Sequence, residues 1–209
     1  MEFLGIKFSN EADFLEKCIE KAGICVLHAP LFHPAMKNVA PIRKDLGVKT
    51  FFNMLGPMVN PAFPQNQMVG VFNLELARMY GYLYQKTDKN FTVLHALDGY
   101  DEISLTGNTK TISNKTESML KPSDFGVKQI KQSDIVGGDS IEESAQIFLN
   151  VLQGKGTAPQ NNVVCANAGI AIATVESLTP LQGFERAKES LLSGKGLVAL
   201  KKIQELSRN

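Results

Sequence analysis

Tryptophan is absent from the 209 residues, and histidine and cysteine occur only three times each. The cysteines, Cys18, Cys25 and Cys165, form no CxxC pair and are odd in number. That excludes a disulfide framework or a zinc ribbon and fits reduced thiols in a cytosolic protein. Charge of one sign is missing too. Lys and Arg number 22 against 21 Asp and Glu, and the signs are mixed along the chain. Without a basic stripe there is no electrostatic footprint for nucleic acid, and without an acidic block there is no solvated tail. No apolar run reaches the roughly 18 residues of a membrane span. Residues 1–30 lack a charged start followed by an apolar stretch. The expectation is a cytoplasmic protein with no nucleic-acid and no membrane partner, whose grip on any phosphate must be local.

What is present suits one sizeable core, since 44% of the residues are hydrophobic. Residues 11–22 place Phe14, Leu15, Cys18, Ile19 and Ala22 at helical spacing, and Gly23 follows as a stop. ICVLHA (24–29) reads as a short buried strand. A helix is expected from Pro34 to Leu46, kinked where Pro41 removes a ladder bond. MVGVF (68–72), residues 74–85 and FTVLHAL (91–97) read as strand, helix and strand, the pattern of a parallel pair with its crossover. EISLTGNTKTI (102–112) reads as a hairpin or excursion turned at Gly107-Asn108. Ser140 and Glu143 form a capping box before a helix, and residues 162–175 read as a strand or turn leading into a buried helix. Thr179-Pro180 opens a helix that stops at Gly194, and 197–206 is helical. The fold class is α/β, a mainly parallel sheet flanked by helices.

Two stretches carry chemistry. Met36 and Arg43 lie seven residues apart and share a helix face, with His33 near its mouth. A guanidinium there suits a planar carboxylate, which it can grip through two parallel N–H bonds. In the run Arg43-Lys44-Asp45, periodicity alone favours a solvated surface charge instead. Asp98, Asp101 and Glu102 follow directly on the strand 91–97, at the carboxyl end where open α/β sheets place ligands. Three acids so close repel one another unless they are solvated or neutralised, and Mg²⁺ is an economical neutraliser. A polar turn with exposed acids is the plain alternative. Residues 136–140, VGGDS, lack the lysine of a phosphate loop and are explained as a turn and helix cap. His28 and His95, inside apolar runs, read as core residues, and the seven methionines as core filler. No nucleophile and no general acid or base stands out.

These residues carry a resemblance. LHAPLFHPAMKNVAPIRKDLGVKTFFNMLGPMVNPA (27–62) resembles the central segment of the anthranilate phosphoribosyltransferases of tryptophan biosynthesis, and DGYDEIS (98–104) resembles their acidic magnesium motif. Residues 137–156, NAGIAI (167–172) and 187–200 resemble their C-terminal portion. The family's GTGGD-type loop and KHGN-type motif, which hold most of the phosphoribosyl pyrophosphate, do not occur here. The resemblance is therefore to the C-terminal α/β domain, over residues 1–209, within the large domain of the nucleoside phosphorylase and phosphoribosyltransferase type of fold. Residues 30–47 would be a helix and hinge toward a small helical domain.

The resemblance implies transfer of phosphoribosyl from phosphoribosyl pyrophosphate to anthranilate. Arg43 would bind the anthranilate carboxylate, Pro30 and His33 would line its route, and Asp101 and Glu102 would hold Mg²⁺. Asp98 would support that pair from behind. It also implies a homodimer for the complete enzyme and inactivity for this portion alone. Two other readings stay open: a pyrimidine nucleoside phosphorylase-like enzyme, and a non-catalytic fragment that serves as a binding or assembly module.

Overall fold

The computed structural model describes residues 1–33 and 52–208. The chain opens with a 3-10 turn, Glu2–Leu4, and helix α1, Ala12–Ala22. Gly23 closes α1 in the left-handed conformation (φ 75°), its N–H returning to the Ile19 carbonyl. Residues 24–28 are not a strand. Ile24 is 49% exposed, and no strand lies beside the segment among the described residues, so its apolar run has no ladder to join. A single helical turn follows, α2, Ala29–Phe32, with Pro30 in its first turn. The expected helix from Pro34 with its kink at Pro41 lies outside the described residues.

After α3, Phe52–Leu55, and the 3-10 turn Gly56–Val59, the chain enters the sheet. Strand β1 is Asn66–Gly70, helix α4 is Leu74–Tyr84, and strand β2 is Asn90–Ala96. β1 and β2 pair in parallel, Val69 opposite Val93, as the strand–helix–strand pattern requires. The Asn73 side chain caps α4 by accepting from the Leu76 amide at 2.8 Å. Strands β3, Thr109–Ser113, and β4, Glu117–Leu120, then add antiparallel neighbours in the order β1-β2-β3-β4. The class is α/β, but the sheet is mixed, and among the described residues its parallel character is confined to one pair. The physical reason is chain length. Only 12 residues, 97–108, separate β2 from β3, and none of them is helical, so no helix carries the chain back for a parallel return.

Four longer helices complete the described fold: α5, Ile141–Leu152; α6, Ala158–Glu176; α7, Pro180–Leu192; and α8, Lys195–Arg208. The stretch 162–175 is helical throughout, the middle of α6 and not a strand. Thr157 and Thr179 each cap the following helix, with Gln160 and Gln182 reaching back to complete the boxes. At Ser140 only half of the expected box forms, because Glu143 accepts from the Asp139 amide instead. No single described helix is long and apolar enough to cross a membrane.

The sheet divides the core. On one face Phe91 and Val93 of β2 meet Leu76, Ala77, Tyr80 and Tyr84 of α4. On the other, Leu94 packs with Cys165, Ala166 and Ile170 of α6 and Phe184, Ala187 and Leu191 of α7. Alternate β2 residues thus face opposite layers, and all but the first are buried. α6 and α7 approach backbone to backbone. A Cβ on Gly183 would lie 2.2 Å from the Gly169 carbonyl oxygen. A third cluster joins Ile6 to Leu200 and Ile203 of α8.

His95 is buried and its Nδ1 donates to the Val71 carbonyl at 2.8 Å, so the core reading of this histidine holds. His28 is instead exposed and stacks on Phe8 at 4.6 Å between ring centroids. Of the described methionines only Met54 packs against the core; Met1, Met58, Met68, Met79 and Met119 are exposed and do not serve as core filler. Cys18, Cys25 and Cys165 are free thiols, and burial pushes all three up from the ordinary thiol range.

Candidate active site

Because β1 and β2 are parallel, both point their carboxyl ends at one edge of the sheet, and the acidic stretch 98–102 follows β2 there. Its turn is closed by the Gly99 amide on the Ala96 carbonyl and by the Ala96 amide on the Tyr100 carbonyl, at 3.0 and 2.9 Å. Gly99 adopts φ 103°, open only to glycine without strain.

The three acids are not equivalent. The Asp98 carboxylate turns back into the loop, where it accepts from the hydroxyls of Ser104 and Thr106. The carboxylates of Asp101 and Glu102 are exposed and have no partner among the described residues. The loop therefore occupies one acid internally and presents the other two.

Three contacts fix where those two are presented. Gly70, the last residue of β1, lies so close that a Cβ there would be 1.6 Å from the Asp101 carbonyl oxygen. Asn167 of α6 accepts from the Ile103 amide and donates to the Ile103 carbonyl, each at 2.9 Å. Leu105, buried, takes a left-handed φ of 59° that turns the chain away after Ser104. Such a backbone costs a leucine about 1–2 kcal/mol. Burial of its side chain against Phe125 and Phe184 and the Ile130 amide bond to its carbonyl hold it there.

The donor set fits Mg²⁺. Two adjacent carboxylates with no partner among the described residues match an ion that takes one or two protein carboxylates and fills its octahedron with water and phosphate oxygens. It does not fit an ion that needs a full protein cage, since no three His, Cys, Asp or Glu side chains converge among the described residues.

Of the other residues singled out, Pro30 lies in α2, half-buried. His33 ends that turn, its amide bonded to the Ala29 carbonyl at 2.9 Å. Arg43 and Met36 lie outside the described residues. Beyond them, Pro57 in the LGPMVNP stretch has its carbonyl held from two sides, by Gln67 Nε2 at 3.1 Å and Tyr84 Oη at 3.3 Å. That anchors the turn to β1 and α4. Sequence reading assigned no role to Gly70 or Asn167. The available signal was an amide side chain amid the apolar residues of 163–172, which needs buried partners of its own.

A family model described as "Glycosyl transferase family, a/b domain" matches residues 1–197. The chain belongs to that family. Within the glycosyl transferase family, an anthranilate phosphoribosyltransferase of Flavobacterium psychrophilum is 77% identical over 207 residues, covering 99% of this chain and 63% of the relative. The crystal structure of anthranilate phosphoribosyltransferase from Thermus thermophilus matches with a TM-score of 0.91 at 30% identity, over 100% of this chain and 63% of that one. The Saccharomyces cerevisiae enzyme in complex with PRPP and Mg matches with a TM-score of 0.79 at 28% identity, covering 87% and 52%. The chain thus spans less than two thirds of the length of the relatives it matches.

Proposed function

We propose that this chain is the C-terminal α/β portion of an anthranilate phosphoribosyltransferase. The enzyme transfers the phosphoribosyl group of phosphoribosyl pyrophosphate to anthranilate. The observation that carries the reading is the presentation of Asp101 and Glu102, without a partner among the described residues, on a clamped loop at the carboxyl edge of the sheet. High identity to a relative of that name supports it, and these relatives do not favour the nucleoside phosphorylase reading.

In the reaction the anthranilate nitrogen forms a bond to C1 of the ribose while the bond from C1 to the pyrophosphate oxygen breaks. The amine proton is lost to solvent. Asp101 and Glu102 would hold Mg²⁺, and bound there the ion stabilises the charge that grows on the leaving pyrophosphate. Asp98 accepts from the Ser104 and Thr106 hydroxyls inside the loop, which turns its oxygens away from the pair. Arg43 would grip the anthranilate carboxylate and so aim the amine, a positioning role. Pro30 and His33 would flank the approach of the ring. Residues 30–47 would serve as the hinge toward a helical domain, and the complete enzyme would be a homodimer in the cytoplasm.

The test is loss of anthranilate fluorescence with phosphoribosyl pyrophosphate and Mg²⁺, for this chain alone and fused to the remaining length of its relatives. Turnover only in the fused form supports the reading. Turnover of nucleoside and phosphate instead of anthranilate, or none in either form, refutes it.

A further inference from the structure

Asn167 makes three hydrogen bonds with one side chain. Its Oδ1 accepts from the Ile103 amide at 2.9 Å, and its Nδ2 donates to the carbonyls of Ile103 and Val163, also at 2.9 Å. Only a side-chain amide offers an acceptor and two donors in this arrangement. Ile103 follows Glu102 directly and is 1% exposed, so its amide and carbonyl have no water to turn to if Asn167 is removed. The Val163 bond, to the carbonyl one turn back on α6, fixes the rotamer that meets Ile103.

We propose that Asn167 is the positioning residue of the metal site: it holds the backbone at Ile103 so that Asp101 and Glu102 stand together at the sheet edge. The inference rests on the reading of those two acids as metal ligands. The neighbouring contacts point the same way. Gly70 fixes the loop on the β1 side, where its absent Cβ would lie 3.5 Å from the Asp101 Cβ, and Asn167 fixes it on the α6 side. A polar turn with merely solvated acids needs neither restraint. All three Asn167 side-chain bonds go to backbone groups. It acts through the backbone of the residue beside the ligands, as the outer partners of metal ligands do.

The experiment uses the 209-residue chain and Mn²⁺ as a paramagnetic stand-in for Mg²⁺, titrated by electron paramagnetic resonance. Asn167→Leu is expected to raise the Kd for Mn²⁺ about tenfold, the lower end for loss of an outer partner. Thr174→Val, which removes the hydrogen bond between Thr174 and Thr92 two turns further along the same helix, is expected to leave the Kd unchanged. Asp101→Asn with Glu102→Gln is expected to remove the site. A wild-type Kd in Asn167→Leu, or an equal shift in Thr174→Val, overturns the proposal. Undiminished binding in the double carboxylate variant overturns the metal reading itself, whatever Asn167 does. Amide exchange supplies a readout free of metal. In Asn167→Ser the Ile103 amide is expected to exchange at least about tenfold faster while Val93, in the core of β2, keeps its protection. Unchanged protection at Ile103 overturns the clamp.

Discussion

The carbonyl oxygen of Asp101 stands 1.6 Å from the point where Gly70 would carry a Cβ, so the end of β1 and the acidic loop share a space only glycine leaves open. The obstacle is backbone, which cannot swing aside as a long side chain would. Gly70→Ala must therefore push residues 98–104 off the sheet edge. A loss of about 1–3 kcal/mol is expected, the usual cost of overpacking. Urea unfolding measures it, and an unchanged midpoint would show that the edge relaxes freely.

The two presented acids should govern the metal requirement. In the complete enzyme, Asp101→Asn with Glu102→Gln is expected to raise the Mg²⁺ concentration for half-maximal rate at least about tenfold. The melting temperature should not fall, because neither carboxylate has a partner to lose among the described residues. Near-normal rates at limiting Mg²⁺ would remove the pair from the mechanism.

Arg43 is expected to select for a carboxylate on the aromatic amine. Replacing its fork with a point charge forfeits a charge-assisted bidentate contact, worth about 1.5–3 kcal/mol. In the complete enzyme Arg43→Lys should raise KM for anthranilate roughly 10- to 100-fold on that figure and leave KM for phosphoribosyl pyrophosphate nearly intact. If both rise together, Arg43 supports the fold and not the substrate.

The crossing of α6 and α7 gives a test of stability far from the acids. Gly183→Ala sets a methyl 2.2 Å from the Gly169 carbonyl and is expected to cost about 3 kcal/mol. Gly137→Ala, with open space around it, should change stability by less than about 0.5 kcal/mol. Chemical denaturation of the two variants side by side checks the contrast.

Local signals in the sequence located the elements whose causes are local. Gly23 ends α1, Ser140 and Thr179 open α5 and α7, and the strand–helix–strand spacing produced the parallel pair and its acidic edge. Features that depend on distant partners were not legible. The apolar run 24–29 looks like a strand, but strand formation needs a neighbour that spacing cannot supply. The β3–β4 hairpin turns at Asn114-Lys115, without glycine, held by Ser113 Oγ accepting from the Lys115 and Thr116 amides. Asn167 and Ile103 are 64 residues apart, so their clamp leaves no trace in any short window. Exposed methionines escape a composition argument for the same reason, since burial is decided by what lies opposite.

The two ends of the described chain are fastened to each other. The Lys7 amide donates to Ser207 Oγ and Gln204 Nε2 to the Leu4 carbonyl, at 3.0 and 2.7 Å, while Ile6 packs on Leu200 and Ile203. Each bond spans 200 residues, the costliest kind of contact to close during folding. During synthesis residues 1–9 precede α8 by about 190 residues, so the part of the Ile6 cover that Leu200 and Ile203 supply arrives last, after Ala22 of α1 and Leu149 and Leu152 of α5. A stop codon before Lys195 would therefore yield a product in which Ile6 lacks Leu200 and Ile203 as cover.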